Sequence, residues 1–446
     1  MNTPICDFVN KYAESEKARF HMPGHKGKGF LGTEHLDITE IDGADVLYNA
    51  KGIIKESQEN ASKLFGSEKT LYSAEGSSLS IRAMLYLALL YAKQSGRKPA
   101  IAAFRNVHKA FISASALLDI ETQWIYPENQ SGIISCGISP QNVDVLLTGI
   151  EEKPAALYVT SPDYLGNVQD IAGLSEVCKK HGILLLVDNA HGAYLKFLPQ
   201  DIHPITLGAD ICCDSAHKTL PVLTGGAYLH ISENAPDILY AEAERAMSLF
   251  ASTSPSYLIL QSLDIANKYM SDGYRKLLCK TCEKTAEAKK TLSDSGYSLI
   301  GTESLKITIQ TKPYGYYGTE ISDILLSKGI TCEFCDKDYI VFMISPENES
   351  YLDRLTNALI SVEKRPSITE KPPVATASVK KLSIREAMFS QSESVGAKDS
   401  LGRIFADASL GCPPAVPIII SGEKIDEKAV ELLEYYGIKK CRVVKE

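Results

Sequence analysis

The sequence predicts an α/β protein: a large domain on a mostly parallel sheet, followed by smaller α+β domains toward the C-terminus. Three observations carry this. Between Gly52 and His230, short apolar runs alternate with longer helical patterns. The short runs are apolar almost without interruption, as in strands covered on both faces. The length, 446 residues, exceeds what one compact core organises, so two or three domains are expected.

The elements follow in order. Residues 1–45 are rich in Gly and His with weak periodicity, and read as an ordered arm. The large domain is assigned to residues 46–292. Within it, KGIIKESQENASKLFG reads as an amphipathic helix and SSLSIRAMLYLALLYAKQSG as a largely buried one. AALYVTSP, ILLLVDNA, ADICCDSA and GAYLHIS read as buried strands ending in turn signals. From Ser254 to about Leu292 the pattern is helical. Residues 293–363 form a small α+β domain: YSLIGTESLKITIQT, a helix around Gly318–Ser327, then ITCEF and YIVFMIS. Residues 364–381, rich in Pro, Ser and Lys, are a linker. Residues 382–446 are a third unit closing on a helix.

Charge and hydropathy exclude several classes. A net charge of −8 argues against nucleic acid and against an anionic membrane surface as partners. The longest apolar stretches, Met84–Ala92 and Ile183–Val187, fall well short of the ~18 residues that span a bilayer. The N-terminus has no apolar core and no small-residue cleavage site, so a cytoplasmic protein is expected. Eleven cysteines, an odd number, fit small core residues in a reducing compartment. The pairs Cys279/Cys282 and Cys332/Cys335 have thiolate-ligand spacing, but neither has the glycine turns of a zinc knuckle, and no metal is expected.

Two strand ends carry the chemistry. ILLLV ends at Asp188, in VDNAHG, and ADICCD runs into Ser215-Ala216-His217-Lys218. Ligands of open α/β sheets bind outside the carboxyl ends of the strands, so an acid and a lysine leaving two such ends can meet on one ligand. Pyridoxal 5'-phosphate (PLP) needs this pair: an amine to attach it and a carboxylate to keep its pyridine nitrogen protonated. Taken alone, Lys218 is a surface lysine and Asp188 reads equally as a helix N-cap. AEGSS, residues 74–78, offers a glycine turn, two hydroxyls at Ser77 and Ser78 and a helix N-terminus. That suits a phosphate, although a plain cap has the same composition. Histidines gather in such segments: His21 and His25 in FHMPGHKG, His108 in RNVHK, His191 in DNAHG and His217 in SAHK. Pro23 and Gly24 break any helix that would turn His21 and His25 into a metal pair.

The strings FHMPGHKGKGF, TEIDGADVLYNAKGIIKESQ, FRNVHKA, VDNAHGAY, SAHKTLPVLTGGAYL, STSPSYLILQSLD and CPPAVPIIISGE, in this order, resemble the Orn/Lys/Arg decarboxylase family, in its short bacterial form without an N-terminal wing domain. The resemblance runs from Phe20 to about Ile425. It implies the fold-type-I, aspartate-aminotransferase-like architecture, working as a dimer or a multiple of dimers. It implies that Lys218 carries PLP, that Ser215 and His217 lie beside the cofactor, and that Asp188 pairs with the pyridine nitrogen. Ala190 and His191 are then near the ring, His108 stacks on its face, and Ser77 and Ser78 bind the phosphate. Thr253 and Ser254 belong to a segment that reaches the partner subunit's phosphate, which makes the active sites composite.

The chain departs from the family pattern at Asp45-Val46-Leu47-Tyr48, where Asp-Asp-Leu-His is usual, and at Asp163, where a threonine follows Ser-Pro. It departs again at Gly411-Cys412-Pro413-Pro414-Ala415-Val416-Pro417, against Pro-Tyr-Pro-Pro-Gly-Ile-Pro. These segments bear on substrate identity rather than on cofactor use. The expected activity is PLP-dependent decarboxylation of arginine, lysine or ornithine, releasing CO2 and a polyamine-type amine. Asp45, Tyr48, Asp163 and Glu386 are the candidates for substrate recognition, because a buried cationic side chain needs paired acceptors. Two other readings remain. A PLP aminotransferase or lyase on the same fold would show an arginine clamping the substrate carboxylate, and none is assignable. A non-catalytic PLP-binding regulator sits poorly with an intact Lys218 and Asp188.

Overall fold

The computed structural model describes residues 1–127, 134–374, 377–408 and 416–446. In chain order it contains α1 (Pro4–Glu14), α2 (Ile53–Phe65), β1 (Lys69–Ser73), α3 (Ser77–Gln94), β2 (Ala100–Phe104), α4 (Lys109–Leu118), β3 (Glu121–Ile125), α5 (Pro140–Gly149) and β4 (Ala156–Thr160). There follow α6 (Ile171–His181), β5 (Leu184–Asp188), β6 (Ile211–Asp214), α7 (Ala216–Thr219), β7 (Ala227–Ile231), α8 (Asp237–Phe250), α9 (Tyr257–Ser271) and α10 (Tyr274–Asp294). The remainder is β8 (Ser298–Ile300), β9 (Lys306–Gln310), α11 (Gly318–Ser327), β10 (Phe334–Cys335), β11 (Tyr339–Met343), α12 (Leu352–Ile360), α13 (Ile384–Phe389), β12 (Ser392–Gly396), α14 (Glu427–Tyr435) and β13 (Lys440–Val444).

Seven strands make one sheet in the order β1-β7-β6-β5-β4-β2-β3. β2 and β3 pair in parallel, as do β5 and β6, where Leu186 faces Ile211 and Asp188 faces Cys213. β7 runs antiparallel to both its neighbours, β6 and β1. The chain divides into two compact units, with β4 split between them.

The first unit is Met1–Lys98, Ala155–Tyr158 and Ile171–Lys276. Every residue of β5, β6 and β7 is buried, which is why these runs lack apolar–polar alternation. α2 buries Ile54, Ala61 and Phe65 along one stripe and stops at Gly66, whose φ of +67° suits the left-handed cap position. Phe65 packs its ring against Phe197, Tyr228 and His230, at centroid distances of 5.5, 5.3 and 4.4 Å. Burying a side chain of that size contributes roughly 1.5–3 kcal/mol. The N-terminal stretch is more than an arm. Pro4 opens α1 at a position where its missing N–H costs nothing, and Ile5 and Val9 bury one helical turn apart. The N–H groups of Ile5 and Cys6 donate to Asp264 Oδ2 at 2.9 and 3.0 Å, so α1 is built into the first unit.

The second unit is Pro99–Pro154, Val159–Asp170 and Leu277–Glu446. It takes in β2 and β3, which periodicity alone would leave with the first. Its four-stranded antiparallel sheet, β10-β11-β9-β8, buries Ile307, Ile309, Ile340 and Phe342 against Ile321 and Leu325 of α11 and Leu355 and Leu359 of α12. Gly318 opens α11 because any Cβ there would lie 2.1 Å from the carbonyl oxygen of Tyr339. The C-terminal β12–β13 ribbon and α14 enclose a separate small core of Phe405, Ile425, Leu433 and Val443.

Candidate active site

The site candidates of the first unit gather at the carboxyl ends of β5 and β6. Asp188 is the last residue of β5 and is only 2% exposed. The Tyr158 hydroxyl donates to its Oδ2 at 3.0 Å, and Ala190 N donates to Oδ1 at 3.2 Å. Burial raises the Asp188 carboxyl, with the charge of Lys218 and the Tyr158 hydrogen bond pulling the other way. Asp188 does not cap an α-helix. Lys218 lies in α7, one short turn beyond the end of β6, and its Nζ stands 3.1 Å from His191 Nε2. Ala190 and His191 are both buried beside Asp188.

A second cluster lies where α3 begins. Ser77 and Ser78 are its first two residues, and Ser215 Oγ donates to Ser77 Oγ at 2.8 Å. The leading N–H groups of a helix have no acceptors within it and point at whatever anion arrives. Gly76, at φ +70°, precedes them, and a Cβ there would meet nothing closer than 4.0 Å. Gly225 is different: at φ +100° its Cβ would fall 2.9 Å from Ala74 O, so the chain after Lys218 passes the loop before α3 at backbone contact. Gly76 N and Gly225 O hydrogen-bond at 2.7 Å across this approach. His217 donates from Nδ1 to Gly226 O at 3.0 Å, and burial pushes its pKa down, which keeps the ring neutral.

In the second unit His108 caps α4, its Nδ1 accepting the N–H of Ala110 at 3.1 Å. In the neutral ring the proton is therefore on Nε2. Thr253 and Ser254 are exposed in the turn before α9. Ser252 N, beside them, donates to Glu75 Oε1 at 2.6 Å. The Tyr48 hydroxyl is raised by burial and by the charge of Glu75.

The acidic substrate candidates turn out to be engaged elsewhere. Asp45 Oδ2 accepts N–H groups of Lys51, Gly52, Ile54 and Lys55, and Oδ1 that of Val46, so the carboxylate closes the N-terminus of α2. Asp163 is fully buried and bonds to Leu165 N, Asn167 N and the Asn167 amide; burial raises its pKa. Glu386 forms a capping box with Ser383 on α13, and is lowered chiefly by the Ser383 backbone hydrogen bond. A carboxylate saturated by local N–H groups has little left for a substrate cation. Gly411, Cys412, Pro413, Pro414 and Ala415 lie outside the described residues.

Sequence reasoning missed Tyr158, Glu75, Asn189 and Asp214. Tyr158 left a signal, a phenol inside the aliphatic run AALYV, since a buried tyrosine hydroxyl needs a partner. The other three read as turn or strand residues until their partners across the sheet are known.

The fold is that of the fold-type-I enzymes. The chain superposes on lysine decarboxylase A from Pseudomonas aeruginosa with a TM-score of 0.80 and 18% identity, covering 97% of this chain and 75% of that one. For the lysine decarboxylase LdcF of Francisella novicida the TM-score is 0.79 and the identity 18%, covering 99% and 81%. At sequence level, residues 3–311 match the model of the Orn/Lys/Arg decarboxylase major domain. The chain is 30% identical to the arginine decarboxylase of Bacillus subtilis (strain 168), over 97% of this chain and 93% of that protein. It is 30% identical to the arginine decarboxylase of Halalkalibacterium halodurans, over 95% and 91%. The chain belongs to the Orn/Lys/Arg decarboxylase family, and is by that membership an amino-acid decarboxylase.

The capping role of Asp45 has a pH signature. Burial pushes its carboxyl up, but the N–H groups of Lys51, Gly52, Val46 and Lys55 more than reverse this and hold it below the usual range. A depressed folded pKa gives stability that is complete above about pH 4, the unfolded value, and lost as pH falls through the folded value. Asp45→Ala should therefore cost about 1–2 kcal/mol at neutral pH. Thermal midpoints across pH should show the gap from wild type narrowing below about pH 4, while KM for the substrate stays unchanged. A raised KM with an unchanged midpoint would return Asp45 to the substrate site.

Proposed function

We propose that the chain decarboxylates a basic amino acid with PLP carried on Lys218, and that arginine is the preferred substrate. The observation that carries the reading is the convergence of the buried Asp188 carboxylate and the Lys218 amine on the ends of neighbouring parallel strands. When bound, PLP supplies an electron sink for the carbon that loses CO2.

The donor set fits that group. Lys218 provides the attaching amine, and His191 Nε2, 3.1 Å away, is an acceptor for its proton. Asp188, raised by burial and steadied by Tyr158 and Ala190, favours a cationic N–H partner such as a protonated pyridine. Ser77, Ser78, Ser215 and the start of α3 offer hydroxyls and N–H groups to a phosphate. Neutral His217 adds no competing positive charge beside Lys218. His108 stays in this reading as the ring-stacking residue on the family resemblance alone.

One structural observation favours decarboxylation over transamination. The arginines of the second unit are engaged within the protein: Arg105 to Pro417 O and Ile418 O, Arg354 to Lys328 O, Arg385 to Ala116 O and Leu117 O. Arg365 pairs with Glu320, Arg403 with Glu393 and Glu446, and Arg442 with Ser392. A carboxylate left without a guanidinium clamp is freer to depart as CO2. Arginine is preferred as substrate because the 30%-identical relatives are arginine decarboxylases. No helix among the described residues is long and apolar enough to cross a membrane, which fits a cytoplasmic enzyme.

CO2 release by the PLP-loaded chain should be fastest on arginine, with kcat/KM for the basic amino acids at least about tenfold above a neutral set. Lys218→Ala should be silent on all of them. Keto-acid formation, or faster turnover of a neutral or acidic amino acid, would contradict the reading.

The active form is a dimer with shared sites. Phe20, Met22, Phe30 and Leu31 of the N-terminal segment are 94, 65, 106 and 85% exposed, an apolar group that a second copy would cover, and Thr253 and Ser254 are exposed as well. Mixing inactive Lys218→Ala with an inactive Thr253→Ala protein should restore activity, because one hybrid site receives both intact contributions. A fully active monomer by light scattering would refute this.

A further inference from the structure

His203, Asp214 and His230 are buried together in the first unit, with donor atoms within 4.8 Å of one another. That is the spacing of metal ligands, but the hydrogen bond at His203 Nδ1 puts a proton on its Nε2, where a metal would need a lone pair. His203 Nδ1 accepts the N–H of Ile205 at 3.4 Å, so the neutral ring carries its proton on Nε2, 3.0 Å from Asp214 Oδ2. His230 is anchored through Nδ1 to Thr70 Oγ1 at 2.8 Å, and its Nε2 stands 3.3 Å from the same Oδ2. The other oxygen of Asp214 accepts Asn189 Nδ2 at 2.7 Å. Burial alone would raise Asp214, but His203 and His230 hold it well below the usual carboxylate range.

The position of this network is what gives it a role. Asn189 directly follows Asp188, and Asp214 directly precedes the segment Ser215–Lys218. The β5–β6 ladder ends at the Asp188–Cys213 pair, with one further backbone bond from Asn189 N to Cys213 O at 3.0 Å. Beyond it, the Asn189–Asp214 bond ties the two strand ends through their side chains. His230 reaches Asp214 from β7, and His203 from the connection between β5 and β6. Both oxygens face N–H donors, which an aspartate satisfies and an asparagine cannot, because its amide would set donor against donor.

We propose that Asn189 and Asp214 are positioning residues: their bond, backed by His203 and His230, fixes the Asp188 carboxylate relative to the Lys218 amine so that both meet one cofactor. This rests on the PLP reading above. Neither residue touches the reacting atoms; each acts through its neighbour in the chain.

The test uses full-length Asn189→Ala and Asp214→Asn, the first truncating a donor and the second keeping the shape. Each variant is assayed for PLP affinity by equilibrium dialysis, the absorbance band of bound PLP, steady-state kinetics and the thermal midpoint without PLP. Asn189→Ala should weaken PLP binding by about tenfold, the usual effect of losing a hydrogen bond to a buried charge. Its absorbance band should shift, and kcat should fall while KM stays within about twofold. Asp214→Asn should move every readout in the same direction. Wild-type PLP affinity, spectrum and kcat in both variants would overturn the proposal, and so would a lowered PLP-free midpoint with affinity and spectrum unchanged, which marks a purely structural role. If one equivalent of zinc survived dialysis against a chelator in the wild type but not in Asp214→Asn, the proton assignment would be wrong. If the wild type took up no PLP, the underlying reading would fall first, a result distinct from the others.

Discussion

A carboxylate with 2% exposure, one strand away from the segment that carries a lysine amine, is the constraint on which this structure depends. Removing an ionised carboxylate from water is costly unless donors or a cation replace the water. Asp188 has one phenol, one backbone N–H, the Cys213 thiol and the charge of Lys218, and burial still raises its pKa. Such a group has a strong preference for a further cationic partner. The fold maintains that state: β5 and β6 are wholly buried, and β7 pairs along the other edge of β6 in antiparallel register.

Polar groups elsewhere are allotted with the same economy. Asp45 and Glu386, offered by the sequence as possible partners for a substrate cation, each close a helix N-terminus. Asp163 organises its own turn from a fully buried position. Asp214, buried to the same degree, serves the neighbouring strand end instead. The local string does not separate these roles. The donors facing each oxygen do.

How much of this was legible follows from the range of the interactions. The strands around Asp188 and Lys218, the helix Ile53–Phe65 and the helix Gly318–Ser327 were readable because local periodicity and turn residues define them. α1 was not, since its stability comes from packing on α2 and α9 and from Asp264, more than 250 residues away. That Asp188 and Lys218 lie close together was legible because Asp188 ends β5 and Lys218 follows the end of the adjacent β6 by four residues. The hydrogen bonds of Asp45, Asp163 and Glu386 were not legible for a complementary reason: whether an acid faces solvent, a helix end or a ligand depends on backbone N–H groups whose direction sequence does not give. Asn189 and Asp214 were invisible because their bond crosses between strands.

The central claim is that Asp188 acts on the cofactor's ring nitrogen rather than only filling a polar gap. Steady-state kinetics of PLP-saturated Asp188→Asn test it directly, because asparagine keeps the shape and loses the charge. The account predicts that PLP remains bound and kcat falls by about 100-fold or more, with a much smaller change in KM. A variant with near-wild-type kcat would contradict it.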